Sequence, residues 1–226
     1  MQDHEELLLA IEEQDVEAAL AVLRKSPSRA ETRDANGVSA LMLALYRGMD
    51  PVVERIRSLR ALDLFEASAL GDLDRVDALL MQDPAAAGGF SGDGFTALHL
   101  AAFFKRIDVA DRLLRSGADV NAVARNATRV RPVHSAAATR EAAVVCFVLE
   151  RGADPDVQQE GGYTALHAAA MQCNVEMAEA IVTAGADLAI VDDKGRTAYD
   201  YARDAGCEPL LAQLHVPATP EERRSG

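Results

Sequence analysis

The apolar positions of this chain come in short runs with helical spacing, and the runs come in pairs. The pattern is fullest between residues 96 and 119. Ala97, Leu98, Ala101 and Ala102 make one apolar face, residues 105 and 106 interrupt it, and Ile107, Ala110, Leu113 and Leu114 make a second. Recurrence every three to four residues predicts two short α-helices joined by a tight turn. Thr96 stands where a hydroxyl can cap the first helix. Gly117 stands where the second must end, because glycine readily takes the left-handed backbone that terminates helices. The small side chains of the first helix let a neighbouring helix approach closely. Residues 118–127 follow neither run and predict an extended finger leading into the next unit.

The unit recurs. Gly94-Phe-Thr-Ala-Leu-His99, Arg129-Val-Arg-Pro-Val-His134 and Gly162-Tyr-Thr-Ala-Leu-His167 align without gaps, and Gly195-Arg-Thr-Ala-Tyr-Asp200 is a fourth copy. The third residue of each gives anchors at 96, 131, 164 and 197, with steps of 35, 33 and 33. A second motif keeps phase: Leu114-Arg-Ser-Gly-Ala-Asp119, Leu149-Glu-Arg-Gly-Ala-Asp154 and Val182-Thr-Ala-Gly-Ala-Asp187 each begin 18 residues after their anchor. Two motifs in phase at one period mark a repeat architecture. Weaker copies place further anchors at Ser39, near 62 and near 5, which adds steps of 34, 23 and 34. The short step predicts that the connection between the second and third units is nearly absent.

These motifs resemble the ankyrin repeat, whose period is 33 and whose signature is T-P-L-H-x-A. Val120-Asn121-Ala122 completes the family's usual ending in one copy, and the resemblance is strongest over 91–214. It implies an all-α solenoid of about seven helix-turn-helix repeats with short β-hairpin-like fingers. One hairpin cannot bury its apolar side alone, so the units must stack. The expected division is an N-terminal cap at 3–33, repeats at 34–60, 61–90, 91–122, 123–157 and 158–190, and a C-terminal cap at 191–214. Residues 1–214 then form one domain, and the Pro-containing, charged segment 215–226 is expected to be disordered. The resemblance also implies that His99, His134 and His167 bond backbone groups of the adjacent turn.

It further implies where a partner sits: on a concave face made by finger tips and by the exposed ends of the first helices. The residue after the finger glycine is Val38, Phe95, Val130, Tyr163 or Arg196. The pairs closing the first helices are Tyr46-Arg47, Phe103-Phe104, Ala138-Thr139, Met171-Gln172 and Asp204-Ala205. Tyr46, Phe95, Phe103, Phe104 and Tyr163 are half of the ten aromatic residues in the chain. Aromatic residues are enriched at binding hot spots, and an exposed apolar patch marks an interaction site. The expected partner-binding set is therefore these five with Val130 and Met171. The opposing expectation is that the phenylalanines tuck between repeats. The fourth finger adds Arg125, Arg129 and Arg131, which can grip an acidic segment or act as a solvated loop. Arg129 occupies the usual glycine position, which puts the turn shape there in question.

Composition narrows the function. Net charge is −13 and tryptophan is absent. A duplex-binding protein needs a basic face, and so does a protein held on an anionic membrane, so neither partner is expected. The opening MQDHEELLLAIEEQ lacks the basic region and long apolar run of a secretory signal. No stretch approaches the ~20 apolar residues of a membrane span. The expectation is a soluble, cytoplasmic monomer. Cys146, Cys173 and Cys207 are odd in number with no CxxC spacing, so reduced thiols are expected. Twenty arginines against three lysines point, by association, to a bacterial source.

No constellation requires catalysis. His99, His134 and His167 hold equivalent positions in stacked units about 10 Å apart, too far for one zinc ion. Gly88-Gly-Phe-Ser-Gly-Asp-Gly94 lacks the strand of a dinucleotide site and the lysine of a P-loop. Asn126-Ala-Thr128 fits a glycosylation acceptor that has no secretion signal beside it. Ser135 beside His134 lacks an orienting acid and an oxyanion site. The expected function is a protein–protein interaction module, with no enzyme activity, cofactor or metal. Two alternatives stand: a small-molecule or anion receptor built on the arginine finger, and an enzyme whose catalytic pair lies within the first 90 residues.

Overall fold

A computed structural model describes residues 2–214, with side chains from residue 5 onward. Seven helical hairpins follow one another: α1 (Gln2–Glu12) with α2 (Val16–Lys25), α3 (Ala40–Tyr46) with α4 (Asp50–Arg57), α5 (Leu64–Leu70) with α6 (Leu73–Gln82), and α7 (Ala97–Phe103) with α8 (Ile107–Arg115). The series continues with α9 (Pro132–Ala138) and α10 (Ala142–Glu150), α11 (Ala165–Met171) and α12 (Val175–Thr183), and α13 (Ala198–Asp204) and α14 (Glu208–Leu214). First helices pack on first helices (α5 on α7, α7 on α9, α11 on α13), and second helices on second (α2 on α4, α10 on α12). The core is the seam between these two rows. The segment 215–226, expected to be disordered, lies outside the described residues.

The anchors act as caps. Ser39, Asp63, Thr96, Thr164 and Thr197 each accept a hydrogen bond from the backbone amide three residues on. Such caps satisfy donors that the first turn leaves unpaired. At the fourth anchor Arg131 supplies no such acceptor, and Pro132 opens the helix instead. Ala97, Leu98, Ala101 and Ala102 are all buried as their spacing predicts, and Val109 joins Ala110 and Leu113 in the core.

The fingers are hydrogen-bonded turns. Ser91 N–H donates to Phe95 O, Gln159 N–H to Tyr163 O and Asp192 N–H to Arg196 O. In the fourth finger Ala124 N–H reaches Val130 O, two residues further, which accounts for the step of 35. Arg129 keeps the turn there by adopting φ 51°, the conformation that glycine holds in its counterparts. The fingers are also joined to one another. Arg125 N–H donates to Gly94 O, Glu160 N–H to Thr128 O and Asp193 N–H to Gly161 O. Asn126 bonds Asp93 O through its amide nitrogen and receives Thr128 through its amide oxygen, so the acceptor-like triplet is part of this seam.

The third unit has no finger, as the short step predicts, and its cap is Asp63. The fingers that lead into the second and fourth units close the gap: a Cβ on Gly92 would stand 2.5 Å from Gly37 C and 2.6 Å from Asn36 O. Beneath them Glu66, fully buried, takes a two-point contact from Arg60 (2.6 and 2.5 Å) and a 2.5 Å hydrogen bond from Ser39 Oγ. Burial alone would raise the Glu66 carboxyl, but the hydrogen bonds from Arg60, Ser39 and the Asp63 amide hold it below its ordinary value.

The expected reduced thiols are corrected in part. Cys173, in the turn between α11 and α12, is bonded to Cys207 at the start of α14, with Cα atoms 5.4 Å apart. The two lie 34 residues apart, so the turn of one unit meets the second helix of the next. Spacing along the chain hides such a pair because the repeat itself supplies the contact. Cys146 remains free.

Gly92→Ala is expected to lower stability by about 1–3 kcal/mol, since its Cβ collides with backbone, whereas Gly88→Ala, with open space around it, changes stability by less than about 0.5 kcal/mol. Urea unfolding midpoints of the two variants check this.

Candidate functional site

The stack places one residue of each of six first helices, α3 to α13, at the same register, seven positions after the residue that precedes the helix. These are Tyr46, Leu70, Phe103, Ala138, Met171 and Asp204. Phe103 is 44% exposed, Met171 53% and Tyr46 38%. The Tyr46 ring stacks on Phe104 at 5.9 Å, and Phe103 meets Phe104 edge-on at 5.2 Å. Tyr46 O–H donates to Asp93 at 2.6 Å, and burial of the hydroxyl beside that carboxylate raises its pKa well above the usual phenol value. An aromatic cluster thus spans from the second unit to the fourth, over the place of the missing finger. Leu70 belongs to this row and was not singled out from the sequence, because the weak third repeat blurred its register.

The residues after the finger glycines lie deeper. Phe95, Val130 and Tyr163 are half-buried, and Val38 is only 6% exposed, so this finger position can join the core. Phe95 packs beside His99 (5.8 Å), and Tyr163 lies against His167 and Tyr201 (6.1 and 5.9 Å). Tyr201 O–H donates to Asp192 (2.6 Å) and reaches the Tyr163 hydroxyl at 3.3 Å. Phe104 is half-buried against the core, while Phe103 stands free of it.

The arginines do not converge. The Arg125 guanidinium lies 3.9 Å over the Phe90 ring. Arg129 and Arg131 line a hollow of about 320 Å³ with Gln158, Gln159, Glu160 and Asp193. A second hollow, about 570 Å³, runs between α9 and α11 and is lined by Ala138, Arg140, Gln159, Tyr163, Ala168 and Met171. The two share Gln159 and form one track from the helix turns to the finger tips. Arg140, at a positive-φ turn, was not foreseen from the sequence.

Three equivalent histidines join each unit to the next, and His134 also lines the second hollow. His99 Nε2–H donates to Val130 O (3.1 Å), His134 Nε2–H to Val157 O (3.0 Å) and His167 Nε2–H to Arg196 O (3.1 Å). A carbonyl can only accept, so the ring proton sits on Nε2 and Nδ1 accepts from the cap residue's own amide. Burial pushes His99 and His134 down to about 4 and lowers His167 as well. Each ring is therefore a neutral strut between one unit and the next finger. No cluster of metal-ligating side chains occurs among the described residues, and no helix there is long and apolar enough to cross a membrane.

Stacked hairpins with an open track define a repeat-array protein. The family model for ankyrin repeats (three copies) matches residues 133–215 and the single-repeat model matches 93–125, together just over half of the chain. The chain belongs to the ankyrin-repeat family, whose members are protein–protein interaction modules. Neurogenic locus notch homolog protein 1 of Xenopus laevis is 40% identical over 110 residues, which are 48% of this chain and 4% of that protein. The Homo sapiens counterpart is 37% identical over 110 residues, again 48% of this chain and 4% of that protein. Neurogenic locus notch homolog protein 2 of Homo sapiens is 32% identical over 171 residues, 75% of this chain and 6% of that protein. The chain thus spans only a few per cent of the length of these relatives. They are vertebrate proteins and lend no support to a bacterial source.

The depressed histidines set a pH dependence. Their folded pKa lies below the unfolded value near 6.5, so the unfolded chain binds more protons between the two. Stability is complete above pH ~6.5 and is lost as pH falls toward 4, by an amount on the order of 3 kcal/mol at most for each of His99 and His134. The double variant His99→Gln, His134→Gln should flatten the slope of unfolding free energy between pH 7 and 4.5, measured by urea titration.

Proposed function

We propose that the face running from Tyr46 through Phe103 to Met171 docks a protein partner. The observation that carries this is the row at the ends of the first helices: three large apolar side chains remain exposed at a register where packing demands none. Phe95, Phe104, Val130 and Tyr163 support that row from below and contribute their outer edges, and Arg125, Arg129 and Arg131 flank it. A stable interface buries about 800 Å² on each side, and a row crossing five units offers that. The open hollows have no enclosed, water-excluded centre, so the reading assigns no catalytic role, no cofactor and no metal. An acidic chain recruits a protein in preference to nucleic acid. Residues 1–214 act as one array, working as a monomer in the cytoplasm. The Cys173–Cys207 bond opposes that location, since disulfides persist in oxidising compartments, and the thiol state of the protein taken directly from cells decides it.

Phe103→Asp combined with Met171→Asp is expected to reduce partner capture at least tenfold while leaving far-UV ellipticity and melting temperature unchanged, because neither side chain is buried. Pull-down against wild type measures this. Tyr163 is the poorer probe, since its ring and hydroxyl also hold Tyr201. Unaltered capture by the double variant would remove the face from consideration.

A further inference from the structure

We propose that the track between the fifth and sixth units receives an extended acidic peptide segment with an apolar centre; this rests on the protein-binding reading above and names the kind of partner. Two features select that occupant. The first is shape. Ala138 and Ala168 leave the space between α9 and α11 open, and Tyr163 and Met171 wall a hollow of about 570 Å³. That volume lies in the range that holds whole ligands, so it takes several consecutive side chains. The second is charge. In a chain of net charge −13, the guanidinium groups of Arg129 and Arg140 make no hydrogen bond or ion pair among the described residues. Most other exposed arginines are engaged: Arg33 with Asp63, Arg57 with Glu54, Arg151 with Asp111.

The two free cations stand at opposite ends of the track. Arg140 lies in the turn where α9 ends, and Arg129 lies in the finger where α9 begins. The seven residues of α9 rise about 10 Å, and the finger and turn residues that carry Arg129 and Arg140 beyond its ends lengthen the span to one that about four or more extended residues cover. The geometry therefore fits a carboxylate at each end of a short apolar stretch. Glu160 and Asp193, on the fifth and sixth fingers, share the finger-side hollow with Arg129 and Arg131. The positive wall there is the fourth finger alone, which gives the segment one favourable side. Charge-assisted pairs to arginine are stronger than neutral hydrogen bonds and fix register, while the apolar centre supplies burial.

The test uses the full chain and fluorescein-labelled dodecapeptides carrying Leu-Val-Leu-Leu flanked by Glu, by Lys or by Ser, with binding read by fluorescence anisotropy at 50 and 300 mM NaCl. Glu-flanked peptides should bind at least tenfold more tightly than Lys-flanked ones, and more weakly at the higher salt. Arg129→Glu with Arg140→Glu should reverse that preference. Ala168→Trp, which fills the hollow from an accessible position, should reduce binding at least tenfold for every peptide. Circular dichroism confirms that each variant is folded. Affinity indifferent to flanking charge, or no binding up to 200 µM, overturns the proposal. Tighter binding of a fluorescein-labelled oligo(dT) than of any peptide overturns it in favour of a nucleic-acid site. If the peptides fail while capture by wild type still depends on Phe103 and Met171, the protein-binding reading stands and only the acidic segment falls.

Discussion

Wherever a finger is laid against a helix in this stack, the finger's carbonyl groups have to be accommodated. In three successive units a buried imidazole does so. Its Nε2–H reaches forward to the next finger, and its Nδ1 accepts from the cap residue behind it. An unpaired buried polar group costs about 1–3 kcal/mol, and a charged ring would lose the acceptor that the cap requires. The imidazole must therefore be neutral, and its burial keeps it so. The open face depends on this constraint, because rigid fingers set against helix ends are what hold large side chains apart from the core.

The third unit shows what happens when the device is absent. Glu66 stands at the position that His99, His134 and His167 hold elsewhere, three residues after its cap. An ionised carboxylate has no proton to donate to the carbonyls of the following finger, so it turns back to Arg60 and Ser39 and forms a buried ion pair. Removing one partner from such a pair strands the other charge, so the substitution holds the second and third units in register by other means. The gap above is closed by the contact of Gly92 with Gly37, and by Tyr46 reaching Asp93 and Phe104 two units away. The aromatic cluster is thus partly a bridge and partly a surface, and the two roles share the same rings.

The candidate face was only partly legible along the chain. Periodicity placed Tyr46, Phe103 and Met171 at one register, because their distance from a capping residue is constant. It did not reveal Leu70, whose repeat is degenerate, or Arg140, whose importance comes from lacking a partner. The alanines at 138 and 168 read as packing residues, yet they matter for the space they leave. Arg125 reads as one of three equivalent arginines, but its guanidinium lies on a phenylalanine ring.

Local sequence by itself determined where helices start and stop, how many hairpins there are and which faces are apolar. Those properties depend on side chains a few positions apart: a hydroxyl three residues before an amide, or apolar groups at helical spacing. Tertiary structure alone decided which cysteines meet, that Arg129 keeps the turn normally given to glycine, and how deeply Val38 and Tyr163 sink. Each of these depends on groups a full repeat or more apart, or on backbone contacts that no residue pattern encodes. Stacking brings position 173 beside 207, and 163 beside 201, only after every intervening hairpin has found its neighbour.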